Sequence, residues 1–212
     1  MKTLLAIFLL TFVLAQQPPI WPVRFQQDFV ESYTTSSLHT VGKLWYDAER
    51  GMERMDRNNG KDDPYCGPIS NHTTTPCHHL IRDGKRYIVW PLLRQCCFCC
   101  DASHGCSIMR QDWLKTSVFG GKELISGEYF NKWTMDEAMT RYWSTIDSKQ
   151  IPRKITEDNL LIKDFIMNTY SEEYIASSVF ELPSYCSPSN LCPSDSKCGT
   201  MRGEATKWSW CQ

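Results

Sequence analysis

The chain of 212 residues lacks a surplus of charge of either sign, a long apolar run and any internal repeat. Lys and Arg number 23 against 24 Asp and Glu. A dedicated nucleic-acid binder needs a basic surface to neutralise phosphates, so the balance argues against one and leaves room only for a local patch. Beyond residue 15 no stretch reaches the ~18 uninterrupted apolar residues of a membrane-crossing helix, and a soluble mature chain with no transmembrane segment is expected. Heptads and low-complexity tracts are missing too. So are H-E-x-x-H, a phosphate-binding glycine loop and a dinucleotide fingerprint. Ser126 lies in LISGE, where Leu124 and Glu128 stand in place of the glycines of a nucleophile elbow.

What the chain has in quantity is cysteine and aromatics. Its eleven cysteines are Cys66, Cys77, Cys96, Cys97, Cys99, Cys100, Cys106, Cys186, Cys192, Cys198 and Cys211, five of them inside CCFCCDASHGC at 96–106. Residues 1–15 have the basic start, short apolar core and small-residue end of a secretory signal. All the cysteines lie after it and are therefore expected to mature in an oxidising lumen as structural disulfides. Eleven is odd, so one thiol is left to stay free, be capped or pair with another chain. The sequon Asn71-His72-Thr73 marks Asn71 as a glycosylation acceptor on a surface loop.

Strand patterns dominate the rest. Alternation runs through Val23–Tyr33, with Gln27 in the apolar phase, and then through Leu38–Tyr46 and Gly51–Arg57. Asp83-Gly84 between β-prone runs signals a hairpin. Lys122–Trp133, Met139–Ile146, Ile151–Thr156 and Leu161–Tyr170 each read as a strand. Met109–Lys115 is ambiguous between a short helix and a loop, and Ser171–Glu173 could open a helical turn or two ending at Phe180. Strands at short spacing with turn residues between them predict a mainly β fold with few short helices, a sandwich or an open barrel, in one β domain over 16–186. The Ser-, Pro- and Cys-rich residues 187–212 read as a separately stapled extension.

The block KLWYDAERGMERMDR, a cysteine-bounded loop, and HHLIRDGKRYIVW followed by cysteines resemble the ependymin-related proteins, as do EYFNKWTM, RYWSTID, IPRKI, DFIMNTYS and VFELPSYC further on. The likeness covers roughly Val23 to Cys186. It implies a strongly curved antiparallel sheet, a half-open β-barrel similar to the bacterial LolA-type lipoprotein carriers. It also implies a secreted or lysosomal glycoprotein with a hydrophobic ligand pocket, calcium and dimers. The run Cys96–Cys100 is denser than that family's pattern, and the four-cysteine tail departs from it.

Several constellations admit more than one chemistry. Cys96/Cys99 and Cys97/Cys100 form overlapping C-x-x-C pairs that could be redox-active or, with His78, His79 and His104, bind metal. The oxidising route favours disulfides instead. Cys106 beside His104 lacks the surroundings of a thiol hydrolase. Asp56-Arg57-Asn58-Asn59-Gly60 begins like an EF-hand loop, but its glycine comes one place early and Gly67 stands where the bidentate Glu belongs. Asp62 and Asp63 could hold calcium in another geometry; a solvated turn is the plainer reading. Trp45, Trp90, Ile125, Tyr129, Trp133, Trp143, Phe165 and Met167 alternate with polar neighbours on the expected strands. With few helices to cover a sheet face, these eight are expected to line a pocket for a hydrophobic small molecule or lipid, bound by burial alone and without catalysis. The alternative is an extracellular structural or adhesive module acting through an apolar face, with a homodimer as one form.

Overall fold

The computed structural model describes residues 16–158 and 160–204. The signal segment and Cys211 lie outside the described residues. Eleven strands form one antiparallel sheet: β1 Arg24–Tyr33, β2 His39–Asp47, β3 Met52–Arg57, β4 Cys77–Arg82, β5 Lys85–Trp90, β6 Gln95–Asp101, β7 Val118–Ile125, β8 Glu128–Met135, β9 Thr140–Ser144, β10 Pro152–Glu157 and β11 Leu161–Phe165. Their spatial order is β6-β5-β4-β3-β2-β1-β11-β10-β9-β8-β7. Two up-and-down meanders are thus joined along a seam where the first strand pairs with the last, Phe29 opposite Phe165 and Tyr33 opposite Leu161. The sheet is not closed into a barrel: β6 and β7 end the strand order and do not pair with each other.

Residues 102–117 connect these two edge strands and have to cross one whole face. Ten strand spacings of ~4.8 Å make a flat sheet ~48 Å wide, and a connection of this length, even fully extended, reaches only ~53 Å. The connection is not extended: it contains a 3-10 turn at Ala102–His104 and further turns beyond. The sheet therefore curls, and the connection lies across its concave side. Tyr46 donates to the Met109 carbonyl at 2.7 Å, and Gln111 exchanges hydrogen bonds with the Trp21 backbone, both at 2.9 Å. Ile108, Trp113 and Leu114 pack there against Trp21, Phe25, Phe29, Leu44, Tyr46, Trp133, Tyr142 and Phe165, the main core. Gly42 on β2 makes one contact possible, since a Cβ there would overlap the Phe29 ring and the Asp56 carbonyl oxygen.

Asp83 (φ 52°) and Gly84 (φ 66°) form the two-residue turn of the β4–β5 hairpin, where a primed turn matches the twist of the strands. The expected single strand Lys122–Trp133 is instead a hairpin, turned at Ser126 (φ 52°) and Gly127 (φ 89°). The helical turns expected from Ser171 shrink to a 3-10 turn at Ser177–Phe180. Arg50, Arg54 and Arg82 explain this by donating to the carbonyls of Ile175, Val179 and Phe180 at 2.7, 2.9 and 3.2 Å. Those bonds hold the segment open across the convex face, where Ile175 and Phe180 cover Leu80 and Trp45.

All ten described cysteines are paired: Cys66–Cys77, Cys96–Cys186, Cys97–Cys192, Cys99–Cys198 and Cys100–Cys106. The overlapping C-x-x-C pairs do not bond internally. Cys99 is the extra residue of a bulge in β6, between Cys100 opposite Arg86 and Phe98 opposite Tyr87. Cys97, Cys99 and Cys100 therefore share one buried cluster, while Cys96 faces another with Tyr87 and Val89. The tail is not stapled separately. Cys192 and Cys198 are buried against β6, and Phe98 exchanges backbone hydrogen bonds with Asn190 and Cys192 at 2.7 and 2.9 Å, so the tail covers that edge as a short added strand.

Candidate functional site

Under the 102–117 strap, between the strands of the β1–β11 seam and β2–β5, lies a cavity of about 220 Å³. Its apolar wall is Trp21, Leu44, Met55, Met109, Ile155, Leu161 and Phe165; its other wall is charged, with Glu53, Arg57, Asp63, His79, Arg86, Glu157 and Lys163, and with Glu31 behind Arg57 and Lys163. Strand alternation accounts for this wall. Glu31 is in phase with Phe25, Phe29 and Tyr33 on β1 and so points into the concave side, 1% exposed. Arg57 closes β3 in phase with Met55, and Lys163 on β11 is in phase with Phe165.

A buried carboxylate is costly unless charge and hydrogen bonds surround it, and both conditions are met. Arg57 Nε and Nη2 meet the two Glu31 oxygens at 2.7 and 3.0 Å, and Nη2 lies 3.3 Å from Asp63 Oδ2. Lys163 Nζ is 3.5 Å from Glu31 Oε2, and Tyr33 donates its hydroxyl proton to Oε1 at 3.0 Å. Asp63 also accepts from the backbone N–H of Tyr65 and Cys66 and from His79 Nε2 at 3.0 Å. Burial pushes the Glu31 carboxyl up, but Arg57 and Lys163 outweigh it and hold it below its ordinary value. Asp63 is likewise raised by burial and then pulled far down by Arg57 and His79. His79 goes the other way: burial, only partly offset by Asp63, disfavours its cation. Glu53 has a single backbone donor, Met109 N–H at 3.4 Å, and burial lifts its carboxyl despite Arg86.

The eight aromatic and aliphatic residues singled out in the sequence do not share one face. Phe165 alone among them lines this cavity. Trp133 is in the concave core away from it, and Trp90 packs among the cysteines. Trp45 points to the convex side, with Lys43 and Arg54 cations 5.3 and 5.5 Å from its ring. Trp143 lies between the ammonium groups of Lys132 and Lys154. Ile125 and Met167 border a shallow surface depression with Phe130, and Tyr129 is 60% exposed on the β7–β8 hairpin. One wall of this cavity is charged. One signal in the sequence pointed there: Glu31 sits in the apolar phase of β1, four residues beyond Gln27.

Calcium does not fit the loop after β3. The Asp56 oxygens are taken by Arg54 at 2.7 and 2.8 Å, and Asp63 is filled by Arg57, His79 and two backbone donors. Asp62 accepts from the Ser36 hydroxyl, and among the described residues of this loop no convergent oxygen set remains of the size calcium requires. The cysteine–histidine groupings that could suit zinc, Cys66/Cys77/His79 and Cys99/Cys100/Cys106, consist of disulfide sulfurs apart from His79, which cannot act as thiolate ligands. Cys106 is likewise no free nucleophile. Among the described residues no helix is long and apolar enough to cross a membrane.

No protein-family model matches the chain, and no curated protein matches it. Solved structures with a similar chain trace exist. A conserved protein from Thermus thermophilus is 6% identical over 76% of this chain and 86% of its own, with a TM-score of 0.49. The Pseudomonas aeruginosa MucA/MucB complex gives 15% identity, 77% of this chain, 57% of the matched chain and a TM-score of 0.44. A LolA-superfamily protein from Nitrosomonas europaea gives 7% identity, 78% and 92% coverage and a TM-score of 0.36.

Proposed function

We propose that this protein is a secreted, glycosylated, non-catalytic carrier related to the ependymin-related proteins, which holds a hydrophobic or amphiphilic small molecule, a lipid or fatty acyl compound, in the cavity of its half-barrel. The observation that carries the proposal is the strapped concave cavity, whose apolar wall of Leu44, Met55, Ile155, Leu161 and Phe165 is available to a tail. Burying apolar surface there stabilises a complex by ~25 cal/mol per Å². Five disulfides suit an oxidising compartment, outside the cell or in a lysosome-like lumen. Asn71 is exposed and open to a glycan. The test is native mass spectrometry of protein purified from a secretory host, followed by organic extraction. A bound mass that extracts as an apolar or amphiphilic compound is expected. Protein that neither carries nor takes up any such compound would end the proposal.

One observation favours a second reading, an extracellular adhesive module that self-pairs. Among the described residues no strand pairs with the outer edge of β7, and Val118, Leu124 and Tyr129 beside it are 66%, 58% and 60% exposed, the kind of edge that pairs with another chain. Sedimentation showing a concentration-independent monomer would remove it.

A further inference from the structure

The carrier reading leaves the chemistry of the cargo open, and the hydrogen-bond inventory of the charged wall narrows it. Glu31 and Asp63 are saturated: each of their oxygens meets a cation or a hydrogen-bond donor. A cationic or amine ligand would have to break those pairs or turn to Glu53 and Glu157, which also line the cavity. At two donors, however, an acceptor is missing. Arg57 Nη1 and Arg86 Nε are buried, belong to residues that line the cavity, and find no acceptor among the described residues. Arg57 as a whole is 4% exposed, so bulk water does not supply the missing partner. A buried donor left unpaired is costly, and an anionic oxygen is its strongest partner.

Volume limits the rest of the molecule. A 150 Å³ protein cavity takes benzene, so about 220 Å³ accommodates roughly nine heavy atoms by the same scale. A diacyl lipid is too large to enter whole, whereas a single short chain with its head fits.

Resting on the carrier reading, we infer that the cavity takes a monocarboxylate amphiphile of medium chain length, its carboxylate received by Arg57 Nη1 and Arg86 Nε and its chain lying against Leu44, Met55 and Phe165.

The experiment is calorimetric titration of the delipidated full chain with octanoate, 1-octanol and acetate, repeated on Arg86→Met after circular dichroism has confirmed its fold. Octanoate is expected to bind about ten- to a hundredfold more tightly than octanol, with acetate weaker than either. Arg86→Met is expected to bring octanoate down to the octanol level while octanol is unchanged. Equal binding of octanoate and octanol would overturn the carboxylate assignment and leave the carrier reading standing. Acetate equal to octanoate would overturn the part assigned to the tail. Binding of none of the three would overturn this inference and the proposed cavity carrier together. If Arg86→Met does not fold, the ratio of octanoate to octanol on the unaltered protein decides.

Discussion

The two meanders that meet at the β1–β11 seam are held by different chemistry. Every disulfide touches the β1–β6 half or the connection and tail attached to it, and none touches β7–β11. The β1–β6 half also supplies most of the charge around the cavity, with Glu31, Glu53, Arg57, Asp63, His79 and Arg86 against Glu157 from β10 and Lys163 from β11. The other half is built of rings and aliphatics, with Trp133, Tyr142, Ile155 and Phe165 in the core, and its outer strand β7 has no fully buried residue. Edge β6 is covered by the tail, while edge β7 has no strand partner among the described residues. Charges buried beside a cavity need a frame that does not relax, and the covalent staples are found on the half that carries them. The aromatic half has no disulfide, and its own ion pairs, Lys132–Glu123 and Arg153–Asp164, are partly exposed.

Three experiments test this contrast. The largest effect is expected from Arg57→Met, which strips Glu31 and Asp63 of their shared cation. Leaving buried carboxylates uncompensated costs about 3–5 kcal/mol, read as a shift in the urea midpoint. A loss below about 1 kcal/mol would mean that the pair is solvated and that the charged half needs no frame. Next, the double substitution Cys97→Ser, Cys192→Ser is expected to cost about 2–4 kcal/mol and to lower amide protection in β5 and β6 while β8 and β9 keep theirs. Uniform loss across the sheet would show that the two halves unfold as one unit.

The smallest effect is in pH. Burial, reinforced by the Arg54 guanidinium 2.9 Å from Nδ1 and opposed by Asp56, holds His78 down at about 4; His79 is lowered as well. Both folded values lie below the unfolded one of ~6.5, so between them the unfolded chain binds more protons. Stability is full above pH ~6.5 and falls as pH drops toward the folded values, with His78 contributing no more than about 3 kcal/mol. Glu31 and Asp63 are depressed below ordinary carboxylates, so their contribution persists through this window and is lost only in stronger acid. His78→Gln is expected to flatten the thermal-denaturation profile between pH 6.5 and 4. An unchanged slope would assign that limb to other groups.

The strands were largely legible in the sequence because local alternation and turn chemistry set them. Asp83-Gly84 marked its hairpin, and Ile151–Thr156 nearly matches β10. The β7–β8 turn was missed because Ser126-Gly127 interrupts an otherwise continuous run of strand formers. The site was hardly legible. Glu31 and Lys163 are brought together only by the β1–β11 seam, and pairing between the first and last strands leaves no local trace. Choosing aromatics by type ignored which phase each occupied, so Trp45 and Trp143 proved to lie apart from the cavity that Leu44 and Ile155 line. The cysteine pairing was equally closed to inspection, since Cys96, Cys97 and Cys99 each bond a residue about 90 to 99 positions away.

The seam also dictates an order of folding. Hairpins within each meander can form as soon as their own residues are available, but Phe29 cannot meet Phe165 until nearly the whole sheet has been synthesised. Contacts of such sequence separation close slowly. During that interval the first meander holds Cys96, Cys97 and Cys99 as neighbours on one strand while their native partners are not yet made. A premature bond among them would have to be reshuffled by thiol–disulfide exchange, so refolding of the reduced chain is expected to be faster with a disulfide isomerase than without one.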